Sequence, residues 1–412
     1  MSTLTLPSNA LRKDASVIGL VGLAHSISHF SQLLLAPLFP WLKDEFAVSY
    51  TQLGFLLTIF FVVSCVVQTL SGFWVDRYGP RPILFTGLGL LGLAALGYAS
   101  SHSYWMLAVF SVIAGTGNGV FHPVDYGLLN RKIAKARLGH AYSVHGITGS
   151  LGWALAPAML VPITIAFSWR VALMCAAALA FSVLLVLWFN RAQLTLDRLP
   201  ALAPAGVDGQ AAEGSLDFLK IPAVWMCFAF FFFYAGALSI VQSFAPTAAR
   251  ELHAVPAQLA AMCLTVYMVC SAGGMVLGGF LACDPERCER IVGIAFGLAA
   301  AVALLIGFAS LPAMAVPVLF GAMGFTSGMA GPSRDLLVKR SSPDNATGRV
   351  YGVVYAGLDI GQAVVPLMIG GLMDQGAYRS VWLALALFQG VLIVSAFNVR
   401  RVRRTVLARV SA

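Results

Sequence analysis

"GTGNGVFHPVDYGLL", residues 115–129, and "GFTSGMAGPSRDLL", residues 324–337, are two copies of one pattern. Each runs from a glycine to a second glycine four residues on, then to a proline four residues further. Gly115, Gly119 and Pro123 thus align with Gly324, Gly328 and Pro332 at an offset of 209. The same offset aligns Pro37 with Pro246, Arg81 with Arg290 and Arg170 with Arg379. It also superposes "LGHAYSVHGITGSLGWALAPAM" (138–159) on "TGRVYGVVYAGLDIGQAVVPLM" (347–368), which share Gly139/Gly348, Tyr142/Tyr351, Gly152/Gly361, Pro157/Pro366 and Met159/Met368. One offset that holds in regions so far apart marks an internal duplication.

Both copies lie in apolar sequence. Of 412 residues, 59% are hydrophobic and 10% charged, and the mean hydropathy is +0.84, so the composition is that of a membrane protein and not of a soluble domain. A bilayer core needs about 20 apolar residues per spanning helix. Twelve segments meet that need, at about 16–40, 50–74, 83–100, 104–128, 140–162, 170–189, 221–245, 257–282, 291–310, 313–337, 349–372 and 380–398. The expected fold class is therefore an all-α membrane protein of twelve spans in two six-helix bundles related by pseudo-two-fold symmetry. The expected division is a first bundle at 1–189, a cytoplasmic linker at 190–218 containing "ALAPAGVDGQAAEG", and a second bundle with a basic tail at 219–412. Ala, Gly and Pro without apolar periodicity make that linker flexible.

Charge sets the orientation. Arg12 and Lys13 directly precede a full-length first span, which reads as an uncleaved helix and not a signal peptide. The outer connections carry Lys43, Arg170, Arg250 and Arg379, which leaves 22 of 26 basic residues at or near the cytoplasmic side. Both termini are expected inside, in a bacterial-type inner membrane. The net charge of +9 is accounted for by segments such as "RKIAKAR" (131–137) and "RRVRR" (400–404), so no nucleic-acid partner is expected. Cys283 and Cys288 fall in a cytoplasmic loop, where a disulfide is disfavoured, and no second ligand pair follows at zinc-site spacing. "NAT" at 345–347 is a glycosylation sequon by its letters alone, on the cytoplasmic side.

Ionisable groups inside a span cost on the order of 3 kcal/mol each, so they face the bundle interior or a wet cavity. His25, His29 and Gln32 share a face of the first span, and Asn118, His122 and Asp125 share a face of the fourth. Tyr351, Tyr355, Asp359 and Gln362 form a stripe on the eleventh. The expected substrate and proton cavity is formed by His25, His29, Gln32, Asn118, His122, His145 on the fifth span, Tyr234 on the seventh, Tyr355, Asp359 and Gln362, with Asp125 too near the cytoplasmic end to belong to it. Asp359 lies near mid-span, where a carboxylate is costly when charged and cheap when neutral, so it is expected to carry the coupled proton with His29 as partner. The other reading of each group is a packing donor or acceptor between helices. The same holds for the glycine clusters "GITGSLG" (146–152) and "SAGGMVLGG" (271–279), which read as faces for close helix approach.

"GFWVDRYGPRP", residues 72–82, resembles the signature loop of the major facilitator superfamily, with Pro80 and Pro82 replacing part of the usual basic run. Within that superfamily, "AHSISHFSQLLLAPLFPWLKDEFAVSYTQLG" and "GTGNGVFHP" are similar to the fosmidomycin resistance protein group. The resemblance implies a secondary transporter working by alternating access, with a central cavity near the membrane midplane between the bundles. It implies proton-coupled export of a small organic solute, although the exporter motif of the fifth span is incomplete at Ala156–Pro157. Proton-coupled uptake of a small organic anion or acid is the alternative, and a non-transporting receptor or membrane enzyme the remote one. No cofactor is expected, the proton gradient being the energy source; the partners are a small solute, protons and the lipid bilayer, and the chain is expected to act as a monomer. No nucleophile elbow or phosphate loop occurs in an aqueous segment, so the chain is expected not to be an enzyme. Asp76, Arg77, Arg81, Asp125 and Arg334 are expected to form a cytoplasmic gate. In that gate Asp125 pairs with Arg77 or Arg81, Arg334 pairs with Asp284, Glu286 or Glu289, and Asp76 faces the N-terminus of the eleventh span.

Overall fold

The computed structural model describes residues 8–134, 137–196, 222–281, 287–334 and 347–410, with the side chains of 8–10, 76, 139, 222–223, 347–355 and 396–410 left undescribed. Among the described residues every regular element is a helix. In the first half these are α1 Ser8–Gln32, a 3-10 turn Ala36–Leu38, α2 Phe39–Phe46, α3 Tyr50–Tyr78 and α4 Pro80–Ala99. They are followed by α5 Tyr104–Asn118, α6 Phe121–Lys132, α7 Leu138–Ala166 and α8 Trp169–Phe189. The second half has α9 Pro222–Ser243, α10 Ala245–His253, α11 Ala257–Leu281 and α12 Cys288–Phe308. It ends with α13 Ala315–Met329, α14 Thr347–Asp374 and α15 Tyr378–Val410.

Eleven described segments are long and apolar enough to cross a bilayer. The tenth expected span, 313–337, is described as α13 and helical residues up to Arg334, and the twelve-helix plan holds. Large apolar side chains such as Phe73, Phe189 and Phe280 stand exposed on the helices, as they must where the solvent is lipid.

The duplicated prolines explain where spans break. Proline lacks an N–H and cannot continue a helix from within, but it is tolerated in a first turn. Pro37 sits in the 3-10 turn that separates α1 from α2, and Pro246 sits in the first turn of α10, just after the break at Phe244. Both short helices then end on an alanine in the left-handed region, Ala47 (φ 50°) and Ala254 (φ 51°). Each alanine donates its N–H back to a carbonyl, that of Lys43 and of Arg250 respectively. The signature loop has an equally local cause: α3 ends at Tyr78, Gly79 takes φ 85°, and Pro80 opens α4. A side chain at Gly79 would strain this turn.

The chain packs as two compact units, Met1–Leu35 with Val63–Ala205, and Ala36–Val62 with Gly206–Ala412. The expected first bundle, 1–189, therefore gives Ala36–Val62 to the second unit. The reason is a continuous seam along the first half of α3. Phe39 and Tyr50 pack on Phe244, the Thr58 hydroxyl donates to the Ala363 carbonyl, and a Cβ on Gly54 would fall 2.6 Å from the Pro366 carbonyl oxygen. Asp374, at the end of α14, accepts from the backbone N–H groups of Tyr50 (2.6 Å) and Thr51 (2.9 Å) and from the Thr51 hydroxyl. Ser49 and Gln52 complete this N-terminus as a capping box: the Gln52 N–H donates to Ser49 Oγ and the Ser49 N–H donates to Gln52 Oε1. Asp374→Ala strips three acceptor contacts from that helix start, a loss of about 1 kcal/mol. The expected result is a melting temperature lower by about 2–4 °C; an unchanged value in a thermal-shift assay would show that the cap contributes nothing.

The linker expected at 190–218 is packed where it begins. A 3-10 turn, Arg191–Leu194, follows α8, and Leu194 is fully buried in the core of the first unit beside Leu187 and Leu84. Residues 197–218 lie outside the described set, as do Cys283, Asp284, Glu286 and the 345–346 part of the sequon. In the second unit a core gathers Phe230, Cys288, Val292, Phe296 and Leu392.

Candidate functional site

Four of the seven histidines converge inside the first unit. α1 brings His25 and His29 on one face. α7 lies against it because a Cβ on Gly152 would stand 2.2 Å from the Ser26 carbonyl oxygen, so only glycine permits the approach. One turn earlier, a Cβ on Gly149 would stand 2.8 Å from the His29 ring and 3.0 Å from His25 Nε2. The glycine face of α7 is therefore more than a sliding surface: it makes the volume that the imidazoles fill. His122 and Asp125 arrive from α6, just beyond the break at Gly119–Val120.

The rings are close. His25 stacks on His145 at 3.5 Å between centroids, and lies 4.3 Å from His29 and 5.4 Å from His122. Asp125 is fully buried, and its Oδ2 lies 3.1 Å from His145 Nε2 and 3.1 Å from His25 Nδ1. Only the His145 contact has hydrogen-bond geometry. Asp125 Oδ1, His25 Nδ1, His29 Nδ1 and His122 Nδ1 are all buried without a hydrogen-bond partner. Tyr126 flanks the group, with its ring 5.2 Å from His145 and 6.1 Å from His122.

A second set of polar contacts continues along α1. The Ser28 hydroxyl donates to Asn118 Oδ1 (2.8 Å), Asn118 Nδ2 donates to Ser64 Oγ (2.9 Å), and Gln32 Nε2 reaches Asn118 Oδ1 at 3.4 Å. Trp153 Nε1 donates to Gln32 Oε1 (2.9 Å), while its ring stacks on His29 at 4.2 Å. Trp153 thus joins the histidines to the amides.

The expected cavity residues of the first half, His25, His29, Gln32, Asn118, His122 and His145, are brought together. Asp125 joins them, which corrects its expected pairing with Arg77 or Arg81. Its carboxylate is enclosed by imidazoles, whereas Arg77 is exposed and lies over the Tyr78 ring. The reason is visible in the spacing: Asp125 follows His122 by three residues on one helix, so it must share the histidine's face. Ser28, Ser64, Tyr126 and Trp153 were missed. Trp153 stands four residues after Gly149 and eight after His145, a helical spacing that carried the signal.

In the second unit, Asp359 is half-buried on α14 and Gln362 is buried, with its Nε2 donating to Gln242 Oε1 at 3.4 Å. Arg334 places its guanidinium carbon 4.3 Å from the centroid of Tyr234 and 5.7 Å from that of Phe231, a cation–π arrangement. Of the acids expected to pair with Arg334, Glu289 is buried at the start of α12, and Asp284 and Glu286 lie outside the described residues. The side chains of Asp76, Tyr351 and Tyr355 are likewise outside them.

The family model described as Major Facilitator Superfamily matches residues 21–322 and 226–411 of this chain. A fosmidomycin resistance protein of Escherichia coli (strain K12) is 30% identical over 152 residues, covering 35% of this chain and 36% of that protein. A hexuronate transporter of Bacillus subtilis (strain 168) is 22% identical over 398 residues, covering 92% of this chain and 93% of its own. Among solved structures, a bacterial homolog of the human lysosomal transporter Spinster, in an inward-facing and occupied conformation, superposes with a TM-score of 0.75 at 15% identity. It covers 94% of this chain and 97% of that one, a likeness of fold.

Proposed function

Because this chain belongs to the Major Facilitator Superfamily, a family of membrane transporters and not of enzymes, we propose that it is a proton-coupled secondary transporter exporting a small organic solute. It works by alternating access as a monomer in a bacterial inner membrane, with both termini cytoplasmic, and uses the proton gradient in place of any cofactor. The proposed functional division into 1–189, 190–218 and 219–412 follows the internal duplication, while Ala36–Val62 packs with the second unit.

The observation that carries solute handling is the string Ser28–Asn118–Ser64 with Gln32 and Trp153. It offers donors and acceptors beside aromatic faces inside an apolar bundle, the composition of a small-molecule site. Coupling is assigned to Asp359, a carboxylate inside the span Ala356–Asp374. There the charged form is expensive, and taking up a proton lets the residue pass through an apolar state of the cycle. The fosmidomycin resistance relative supports export. Uptake of a small organic acid is the second reading, favoured by Arg334 seated against Tyr234 and Phe231 and by the hexuronate relative. In either direction Asp76, Arg77, Arg81 and Arg334 are assigned to the cytoplasmic gate.

A thermal-shift screen of purified protein against organic acids, phosphonates and antibiotics identifies a ligand, because binding to the folded state raises its melting temperature. Counterflow of that ligand in proteoliposomes then tests transport. Gln32→Ala, which removes the acceptor of the Trp153 N–H and a donor to Asn118, is expected to weaken binding about tenfold, the worth of one buried hydrogen bond. Binding without counterflow would reject transport, and unchanged affinity in Gln32→Ala would remove the string from the solute site. Accumulation in inverted vesicles under an imposed proton gradient distinguishes export from uptake.

A further inference from the structure

We propose that His25, His122, His145 and Asp125 form a binding site for one divalent transition-metal ion. The inference rests on the geometry of the first unit and is independent of the transported solute. One ligand atom from each of the three histidines can be chosen so that all lie within 4.8 Å of one another. Asp125 Oδ2 lies 3.1 Å from a nitrogen of His25 and of His145. Metal–nitrogen bonds of about 2.0–2.1 Å in a tetrahedron set ligand atoms about 3.4 Å apart. The two contacts to Asp125 already have that scale, and the rings of His25 and His145, now stacked with planes 23° apart, must turn about their side-chain bonds to aim both nitrogens at one ion.

The second observation is the set of polar atoms left over. His25 Nδ1, His122 Nδ1 and Asp125 Oδ1 are buried and lack hydrogen-bond partners, and His25 and Asp125 are 2% and 0% exposed. Each buried unpaired group costs about 1–3 kcal/mol, so three in one place call for an occupant. A water molecule would donate and accept hydrogen bonds but leave the carboxylate charge uncompensated. A single proton would neutralise that charge but join only two of the four groups. A divalent ion satisfies several donors and the charge together.

The donor set selects the class of ion. Three imidazole nitrogens and one carboxylate oxygen suit zinc, cobalt, nickel or copper, and are poor for the oxygen-seeking calcium and magnesium. His122 is the half-buried member, and its ring stacks beside that of Tyr126, which is exposed. His29, whose ring lies 4.3 Å from that of His25 and stacks on Trp153, packs against His25.

The test uses full-length protein purified in detergent, stripped with a chelator, and titrated with Co²⁺ and then Zn²⁺. The expected result is one Co²⁺ per chain with the visible ligand-field bands of a low-coordinate nitrogen and oxygen site, bleached by one equivalent of Zn²⁺. His122→Ala and Asp125→Asn should each weaken binding by at least about 100-fold, since loss of even a supporting group costs 10–100-fold. His102→Ala, which lies outside the cluster, should leave binding intact. Size-exclusion profile and melting temperature identify any variant that fails to fold, and His122→Gln supplies a milder change at the half-buried position. The absence of cobalt bands in folded wild-type protein would overturn the site, with a proton or water as the occupant. Bands that survive both His122→Gln and Asp125→Asn would place the metal elsewhere and overturn it equally.

Discussion

Asp359→Asn is expected to abolish accumulation of the solute against a gradient while binding and solute exchange persist. The substituted amide keeps the shape of the side chain but holds it in one permanently neutral form. A charged carboxylate in the middle of a span costs on the order of 3 kcal/mol, and under the proposed coupling that cost separates the loaded from the unloaded state in each cycle. With the amide the difference vanishes, and the two conformations exchange with no reference to the proton gradient. Proteoliposomes with an imposed pH gradient read the effect directly: concentrative transport falls to the level of equilibration, and counterflow continues. Concentrative transport at the wild-type level would move coupling away from Asp359. Asp359→Ala is a poorer probe, since it also removes hydrogen-bonding capacity and volume from α14, which packs closely on α9 at Gly357 and Gly361.

Gly328→Val prevents the protein from reaching its folded state in usable amounts. Gly274 and Gly278 on α11 lie against the backbone of Phe325 and Met329, Gly324 and Gly328 on α13 lie against that of Tyr267 and Ser271, and none has room for even a methyl group. A Cβ on Gly328 would stand 2.0 Å from the Ser271 carbonyl oxygen, and one on Gly324 would stand 2.1 Å from that of Tyr267. The obstacles are backbone atoms, so no rotamer change relieves them and the helices must separate. Overpacking of a core typically costs about 1–3 kcal/mol, and forcing two backbones apart along four interlocked positions lies at or beyond the upper end. The expected outcome is a yield of monodisperse protein reduced at least about tenfold, with Gly328→Ala intermediate. Gly279→Ala, where nothing lies within 4 Å of the added atom, serves as the silent control. A normal yield and melting temperature for Gly328→Val would show that α11 and α13 do not pack this way.

The same glycines give the duplicated segment its physical meaning. Gly119 in the first copy and Gly328 in the second occupy the same role, since a Cβ on Gly119 would stand 2.5 Å from the Ser64 carbonyl oxygen of the neighbouring span. What was duplicated is a helix that approaches its neighbour at backbone distance. The polar residue that follows was left to diverge, into Asp125 among imidazoles in one copy and Arg334 against aromatic rings in the other.

Features that depend on neighbours along the chain were determined by the sequence alone. Twelve spans follow from apolar length, because a bilayer of known thickness imposes it. The two halves follow from a constant offset, and the faces bearing His25, His29, His122 and Asp125 from the helical period. The capping box at Ser49–Gln52, seen only in the structure, is equally local, since it joins residues three apart. Contacts between helices were decided only in three dimensions. Depth along a span does not say which side chain from another span lies alongside, so Asp125 was assigned to an arginine at the membrane edge when two imidazoles enclose it. Likewise, no pattern within Tyr50–Tyr78 reveals that its first half packs against α14 and joins the second unit. That choice depends on where Gly54 meets Pro366 and where Asp374 reaches the N–H groups of Tyr50 and Thr51, more than 300 residues away. The placing of His25 and His29 in the cluster required Gly149 to leave a space opposite them, and such a volume is a property of packed helices that no single helix possesses.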